Sequence, residues 1–278
     1  MKIPFIIFGA LFIAAPAMSQ PPVASNADSA AFYLQKGLEQ KKEGRRMESF
    51  KYFEKAAGYD ASNKQIIAEL AQANYDMRRY HQAKENYKKL VELGDVSAAT
   101  YRQLLQLSFN LRQPDDVVLY ANKLKQAEPS EKVSYYLGKV EYDRENYGEA
   151  IRHLEKAAKE DPANGEVPYM VARAYADMQN YKQSLPYFHK AIDLDTSRSN
   201  WVYELSLVYY AMQDDKNALK YMLEAGRRGY KKDNDYNENL GIAYLNAGQL
   251  DQGVAILTEI LKKRPSDMNL LNMIAEAY

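Results

Sequence analysis

The chain has 278 residues, of which 27% are charged and 46% hydrophobic, and its 37 lysine and arginine residues are balanced by 37 aspartate and glutamate residues. This balance argues against a nucleic-acid partner, because proteins that follow a phosphate backbone carry a basic surplus. The sequence contains no cysteine, so disulfides, thiolate metal sites and cysteine nucleophiles are excluded.

The first nineteen residues have the pattern of a secretory signal peptide. Lys2 precedes the apolar stretch 3–15, and Ala17 and Ser19 place small residues where a signal peptidase reads them. Cleavage is predicted before Gln20, so the protein is expected to be exported. The apolar stretch is shorter than the roughly 20 residues that span a bilayer, and no transmembrane segment is expected after cleavage. Residues 20–29 are small, polar and proline-containing, which predicts a flexible lead-in.

A repeat with a period of 34 residues begins at Ala30, which is taken as position 1. Position 8 is small in six of seven repeats, position 20 is also small in six, and position 24 is large in six. Small residues at positions 8 and 20 that face large residues at position 24 predict two antiparallel helices that approach closely in each repeat. The repeats, numbered 1 to 7, are residues 30–63, 64–97, 98–130, 131–164, 165–198, 199–233 and 234–267, followed by a partial eighth at 268–278.

The turn and the end of each helix pair also have sequence signals. Glycine, or a pair ending in asparagine, falls between the two helices at Gly44, Gly248, 145–146 and 179–180. Prolines at position 32 of three repeats close the second helix, because proline has no amide proton to donate. Repeat 3 departs from the pattern, with Leu105 at position 8 and Ala121 at position 24. We expect the volume to have moved across that helix interface, which a packed core tolerates.

These positions resemble the tetratricopeptide repeat. Repeat 4 carries the closest match, in Tyr135-Tyr136-Leu137-Gly138, Tyr147-Gly148-Glu149-Ala150, Ala157 and Asp161-Pro162. The resemblance covers residues 30–278 and implies an all-α fold, a right-handed α-solenoid of seven tandem helix–turn–helix repeats plus a partial eighth first helix. It also implies that the first helices line a concave groove. Together with the predicted signal peptide, the resemblance leads us to expect a protein of the periplasm or outer cell envelope of a bacterium.

No catalytic or metal-binding pattern is present in the sequence. His81, His153 and His189 fall on predicted second helices of different repeats, where solvent exposure is expected. Dinucleotide-binding, phosphate-loop, serine-hydrolase and zinc-protease motifs are absent. The sequence thus predicts a protein that is not an enzyme and that has no cofactor and no metal.

The predicted groove is rich in tyrosine and charge, which is the composition of protein-binding hot spots. The resemblance places positions 2, 5, 9, 12 and 13 of the first helices on the concave side. Packing between repeats and ligand contact are equally good interpretations of its rings. The candidate partner-binding residues are Arg102, Phe109, Tyr135, Lys139, Tyr142, Asp143, Tyr169, Arg173, Asp177, Tyr203 and Tyr210.

The predicted function is a protein–protein interaction scaffold that holds a peptide segment or a protein partner in the groove. The alternative is a glycan-binding module, because tyrosine faces beside carboxylates also suit sugars. The C-terminal segment 268–278 repeats the first-helix pattern, and Met268, Leu271 and Ile274 leave it little polar surface, so we expect it either to pack on another chain or to be continued in the natural protein.

Overall fold

The computed structural model describes residues 25–277, and this range contains fifteen α-helices and no strand. The helices are α1 Asn26–Lys42, α2 Arg46–Tyr59, α3 Lys64–Asp76, α4 Tyr80–Glu92, α5 Ala98–Asn110, α6 Pro114–Ala127, α7 Ser134–Asp143, α8 Tyr147–Glu160, α9 Glu166–Asp177, α10 Tyr181–Leu194, α11 Ser199–Ala211, α12 Asp215–Arg227, α13 Asn234–Asn246, α14 Leu250–Lys263 and α15 Met268–Glu276. Each predicted repeat contains two consecutive helices, and α15 is the partial eighth. The prediction of an all-α helical repeat solenoid is confirmed.

The described residues divide into two compact bodies, one ending at Leu93 and the other beginning at Gly94. The N-terminal body contains α1 to α4, which are repeats 1 and 2. The C-terminal body contains α5 to α15, which are repeats 3 to 7 and the last helix. Within the C-terminal body each second helix packs on the first helix of the next repeat. No helix within residues 25–277 combines the length and the hydrophobicity needed to cross a membrane.

The chain becomes helical earlier than the sequence indicated. The predicted signal peptide and residues 20–24 lie outside the described residues, but α1 begins at Asn26, so residues 26–29 are helix and not part of the lead-in. Ser25 explains this start: its hydroxyl accepts the Asp28 amide at 3.1 Å, and its own amide donates to the Asp28 carboxylate at 3.1 Å. This reciprocal capping box satisfies two backbone groups that helix termini otherwise leave unpaired.

Position 15 of every repeat adopts the left-handed backbone conformation. Glycine occupies it in the first and last repeats, at Gly44 and Gly248, where φ is 75°. The other five repeats place a side-chain-bearing residue there with φ between 54° and 62°: Arg78, Arg112, Glu145, Gln179 and Gln213. This residue reverses the chain between the two helices, which locates the predicted turn at one fixed position.

The two helices of a repeat approach closely where position 8 meets position 24. A Cβ atom added to Gly138 would lie 2.8 Å from Leu154 Cγ, and one added to Gly241 would lie 2.6 Å from Leu257 Cδ2. In repeat 3, Leu105 is 2% exposed and Ala121 is fully buried. The large side chain therefore stands on the first helix there, as expected from the sequence.

Candidate partner-binding face

All eleven predicted binding residues lie on first helices of the C-terminal body. We define the first-helix face as positions 5, 9, 12 and 13 of α5, α7, α9, α11 and α13. The structure assigns Arg102 and Phe109 to α5, Tyr135, Lys139, Tyr142 and Asp143 to α7, Tyr169, Arg173 and Asp177 to α9, and Tyr203 and Tyr210 to α11. Four of these side chains are bonded to the next first helix: Tyr142, Tyr169, Arg173 and Tyr203.

Between α7 and α9, the Tyr142 hydroxyl donates a 2.5 Å hydrogen bond to Asp177 Oδ2. The Arg173 guanidinium lies over the Tyr142 ring, 5.5 Å from its centroid, and the Lys139 ammonium lies 5.4 Å from the same centroid. Lys139 also forms a 2.6 Å ion pair with Asp143. Burial, together with the hydrogen bond to Asp177, raises the pKa of Tyr142, so the phenol keeps its donor proton.

Between α9 and α11, Glu204 receives two side chains from the preceding first helix. The Tyr169 hydroxyl donates to Glu204 Oε1 at 2.7 Å, and Arg173 Nε lies 3.7 Å from Oε2. Burial raises the pKa of the Glu204 carboxyl above its usual range. The Tyr169 ring is only 7% exposed and stacks on Trp201 with a centroid distance of 4.8 Å. Tyr169 is therefore a packing residue, and its ring is not open to a ligand.

Between α11 and α13, the Tyr203 hydroxyl accepts a hydrogen bond from Asn239 Nδ2 at 2.7 Å. The Tyr203 ring stacks on Tyr230 at 4.2 Å with an interplanar angle of 11°. Further along α11 the side chains are open: Leu207, one turn after Tyr203, is 37% exposed, and Tyr210, two turns after it, is 46% exposed. Within residues 25–277, the Tyr210 hydroxyl has no hydrogen-bond partner, so Leu207 and Tyr210 form an open apolar pair.

The three tyrosine bonds follow one rule, and together we call them the tyrosine ladder. A tyrosine at one position bonds a carboxylate or amide one position later in the next repeat: Tyr142 to Asp177, Tyr169 to Glu204 and Tyr203 to Asn239. Glu204 and Asn239 were missed by the sequence analysis. The signal that marks them is a tyrosine followed 35 or 36 residues later by a polar partner.

At the start of the C-terminal body, Phe109 takes the place that Tyr142 has one repeat later. It has no hydroxyl, and its ring packs edge-on against Tyr136 at 5.0 Å and lies 6.2 Å from Tyr135. Burial raises the pKa of Tyr135 to about 12. Arg102, near the N-terminal end of α5, is ion-paired with Glu131.

A cleft remains beside Phe109, and we call it the α5–α7 cleft. It lies between the α5–α6 turn and α7, and it brings together three of the predicted residues. Its lining residues are Phe109, Arg112, Gln113, Pro114, Val117, Lys139, Val140 and Asp143.

The histidines lie on second helices, as the sequence predicts, and His81 is solvent-exposed as expected, but His153 and His189 are only partly exposed. His189 is half-buried, its Nε2 lies 3.2 Å from the Tyr209 hydroxyl, and its ring lies 5.7 Å from that of Tyr221. Burial lowers the pKa of His189, which favours the neutral imidazole. Among the described residues, no group of three or more histidine and acidic side chains is placed to hold a metal ion.

Paired helices, a left-handed turn at position 15 and close packing between positions 8 and 24 define a solenoid of helix–turn–helix repeats. Models of the tetratricopeptide repeat match residues 65–93, 141–185 and 239–267. The chain therefore contains tetratricopeptide repeats.

Solved structures share this fold. The chain is similar to YrrB, described as a tetratricopeptide repeat protein with an unusual peptide-binding site, at 18% identity and a TM-score of 0.53, over 60% of this chain and 87% of that one. It is similar to MamA at 20% identity and a TM-score of 0.54, over 62% and 95% of the two chains. It is also similar to PilF of Pseudomonas aeruginosa at 17% identity and a TM-score of 0.58, over 79% and 99%. No curated protein matches the sequence.

Proposed function

We propose that the protein is a non-enzymatic scaffold of the bacterial cell envelope that binds a peptide segment or a protein partner on the first-helix face of its C-terminal body. Tetratricopeptide repeat proteins are generally scaffolds without enzymatic activity, and the similar protein YrrB is described as having a peptide-binding site. The proposal is carried by surface that stays open on helices already bonded to one another. This surface consists of the apolar pair Leu207 and Tyr210 and of the α5–α7 cleft.

The tyrosine ladder gives the face its binding properties. Tyr142, Tyr169 and Tyr203 use their hydroxyls on the neighbouring first helix, so these tyrosines fix the spacing of the helices. A surface that is rigid before binding loses less conformational entropy when a partner docks. Tyr210 and Leu207 are exposed and available for direct contact, and Asp143 is exposed at the edge of the cleft while paired with Lys139.

Sugar binding has less support from the geometry than protein binding. A sugar stacks on an open ring face, but the Tyr169 face is covered by Trp201 and the Tyr203 face by Tyr230. Tyr210 is the exposed ring of the set, and one ring beside Leu207 suits an apolar side chain of a protein.

Site-directed photocrosslinking in intact cells tests the face. A photoreactive amino acid is placed at Tyr210, at Asp143 and, as a control, at the exposed Lys156 on the second helix α8. We expect one partner protein to be captured from Tyr210 or Asp143 and not from Lys156. Capture from Lys156 alone would show that the first-helix face is the wrong surface, and no capture at any position would refute the scaffold proposal.

The envelope location rests on the signal-peptide pattern of residues 1–19. We expect the protein to fractionate with the periplasm or envelope and its first residue to be Gln20 by mass spectrometry of the intact protein. A cytoplasmic protein that retains Lys2 would refute this part of the proposal.

We also propose that α15 takes part in self-association. Met268 is 64% exposed and Leu271 is 38% exposed, and both side chains are apolar. Light scattering should give a larger mass for the native chain than for a Leu271→Asp variant. Equal masses would refute self-association through this helix.

A further inference from the structure

The α5–α7 cleft has an apolar floor. Val117 is 1% exposed and Val140 is 4% exposed, and the half-buried Phe109 ring and Pro114 complete the apolar part of the lining. A side chain of three or four carbons entering this cleft would exchange water for contact with valine, phenylalanine and proline. Burial of such a side chain is favourable by the usual hydrophobic term.

The charges at the rim are mostly neutralised within the protein. Lys139 is paired with Asp143 at 2.6 Å, and Arg144 is paired with Asp115 at 2.7 Å. Arg112 is different: it is exposed, and its guanidinium forms no hydrogen bond or ion pair with any residue between 25 and 277. The cleft therefore offers one cation whose charge is still available to a ligand.

Comparison with the interface between repeats 4 and 5 shows what is particular to the α5–α7 cleft. In repeat 4 the place of Phe109 is taken by Tyr142, whose hydroxyl reaches across to Asp177. The place of Arg112 is taken by Glu145, which has the same left-handed backbone conformation and the opposite charge. An unpaired arginine beside an apolar cleft, next to a position-12 ring without a hydroxyl, is thus a property of repeats 3 and 4, and not of the fold in general.

We propose that the α5–α7 cleft recognises a peptide in which an apolar residue is next to an acidic residue. The apolar side chain packs on Phe109, Val117 and Val140, and the carboxylate pairs with Arg112. A guanidinium suits this role because its planar donors match a carboxylate in two parallel hydrogen bonds. This inference rests on the proposed function and specifies the chemistry of its ligand.

Peptide selection followed by titration tests the inference. Random dodecapeptides displayed on phage are selected on the purified whole chain, and the most enriched peptide is labelled and titrated by fluorescence anisotropy. We expect enrichment of peptides with leucine, isoleucine or valine beside glutamate or aspartate. The Arg112→Glu variant should bind the enriched peptide about tenfold or more weakly, which is the scale of one charge-assisted hydrogen-bonded pair.

Two controls separate recognition from folding. Arg78 has the same repeat position and backbone conformation, with φ 58° against 54° for Arg112, so Arg78→Glu should keep both helicity and affinity. A peptide in which the acidic residue is replaced by lysine should bind Arg112→Glu more tightly than the native chain.

The outcomes distinguish the two proposals. Enriched peptides that are basic or uncharged, or acidic peptides whose affinity Arg112→Glu leaves unchanged, would overturn the α5–α7 inference and leave peptide binding intact. A selection that enriches no peptide would overturn the inference, while the photocrosslinking result for protein partners would still decide the scaffold proposal.

Discussion

The close approach of Gly138 to Leu154 provides the sharpest test of the packing within a repeat. A Cβ atom at Gly138 would lie 2.8 Å from Leu154 Cγ, 2.9 Å from Cδ2 and 3.3 Å from the Leu154 backbone nitrogen. Gly138→Leu places four carbons in that space, and overpacking of this kind costs about 1–3 kcal/mol. Replacing glycine in a helix recovers up to about 1 kcal/mol. After that gain is subtracted, we expect a net loss of up to about 2 kcal/mol in the free energy of unfolding.

The arrangement in repeat 3 suggests how this loss can be reversed. Leu105 and Ala121 occupy the same two positions with the large side chain on the first helix, and both are buried. Leu154→Ala alone leaves a cavity at a fully buried site and should cost about 2–5 kcal/mol. The double variant Gly138→Leu, Leu154→Ala reproduces the arrangement of repeat 3, so it should be more stable than Leu154→Ala.

Urea unfolding followed by circular dichroism measures these differences. Gly148→Leu is the matched control, because no atom lies within 4 Å of the added Cβ and α8 continues through that position. The control should leave the midpoint unchanged or raise it. If the losses of the two single variants simply add in the double variant, the leucine at position 138 does not compensate for the alanine at position 154. The volume exchange between positions 8 and 24 seen in repeat 3 would then not apply to repeat 4.

Three further predictions concern the turn, the ladder and pH. Glu145→Gly should raise stability by about 0.5–1 kcal/mol, because glycine adopts φ 62° without the steric cost that a side chain incurs; a lower midpoint of thermal unfolding would contradict this. Tyr142→Phe should lower stability by about 0.5–1.5 kcal/mol by removing the bond to Asp177, whereas Tyr210→Phe, which removes an unpaired hydroxyl, should leave it unchanged; equal effects would count against the ladder. Burial raises the pKa of Glu204 above its ordinary value of 4.5, so folding favours the protonated acid and the native chain loses stability as pH rises above that value. Glu204→Gln should therefore gain stability relative to the native chain between pH 4 and pH 8 in urea titrations, and a difference that does not vary with pH would refute the assignment.

The repeat and its core could be predicted from the sequence because every repeat presents the same two surfaces to the same neighbour. Small residues such as Gly138 and Gly241 recur at one position, and large ones such as Leu154 and Leu257 recur sixteen positions later. Periodic selection for volume is visible in a single sequence. The Ser25 cap was not predicted, because it precedes the first repeat and follows a different, purely local rule.

The candidate site was predictable only in part. The sequence placed aromatic rings such as Tyr169 on the correct helices, but periodicity does not report what a hydroxyl or a ring face touches. Trp201 covers the Tyr169 ring, and Glu204 accepts the hydrogen bond of its hydroxyl; both contacts cross from one repeat to the next and depend on which side chain stands at those two positions. Exposed Tyr210 and buried Tyr169 therefore looked alike in the sequence and differ in the structure.

At position 15, the left-handed backbone conformation does not depend on the charge of the side chain. Arginine, glutamate and glutamine all occupy it with nearly the same φ, as Arg112, Glu145 and Gln179 show. Because the helices depend on the conformation of this residue and not on its chemistry, the charge at the entrance to a cleft can change from one repeat to the next without remodelling the fold. The residue at position 15 of each turn can then be replaced independently of the others. A single substitution there could change the charge of the ligand that one cleft prefers.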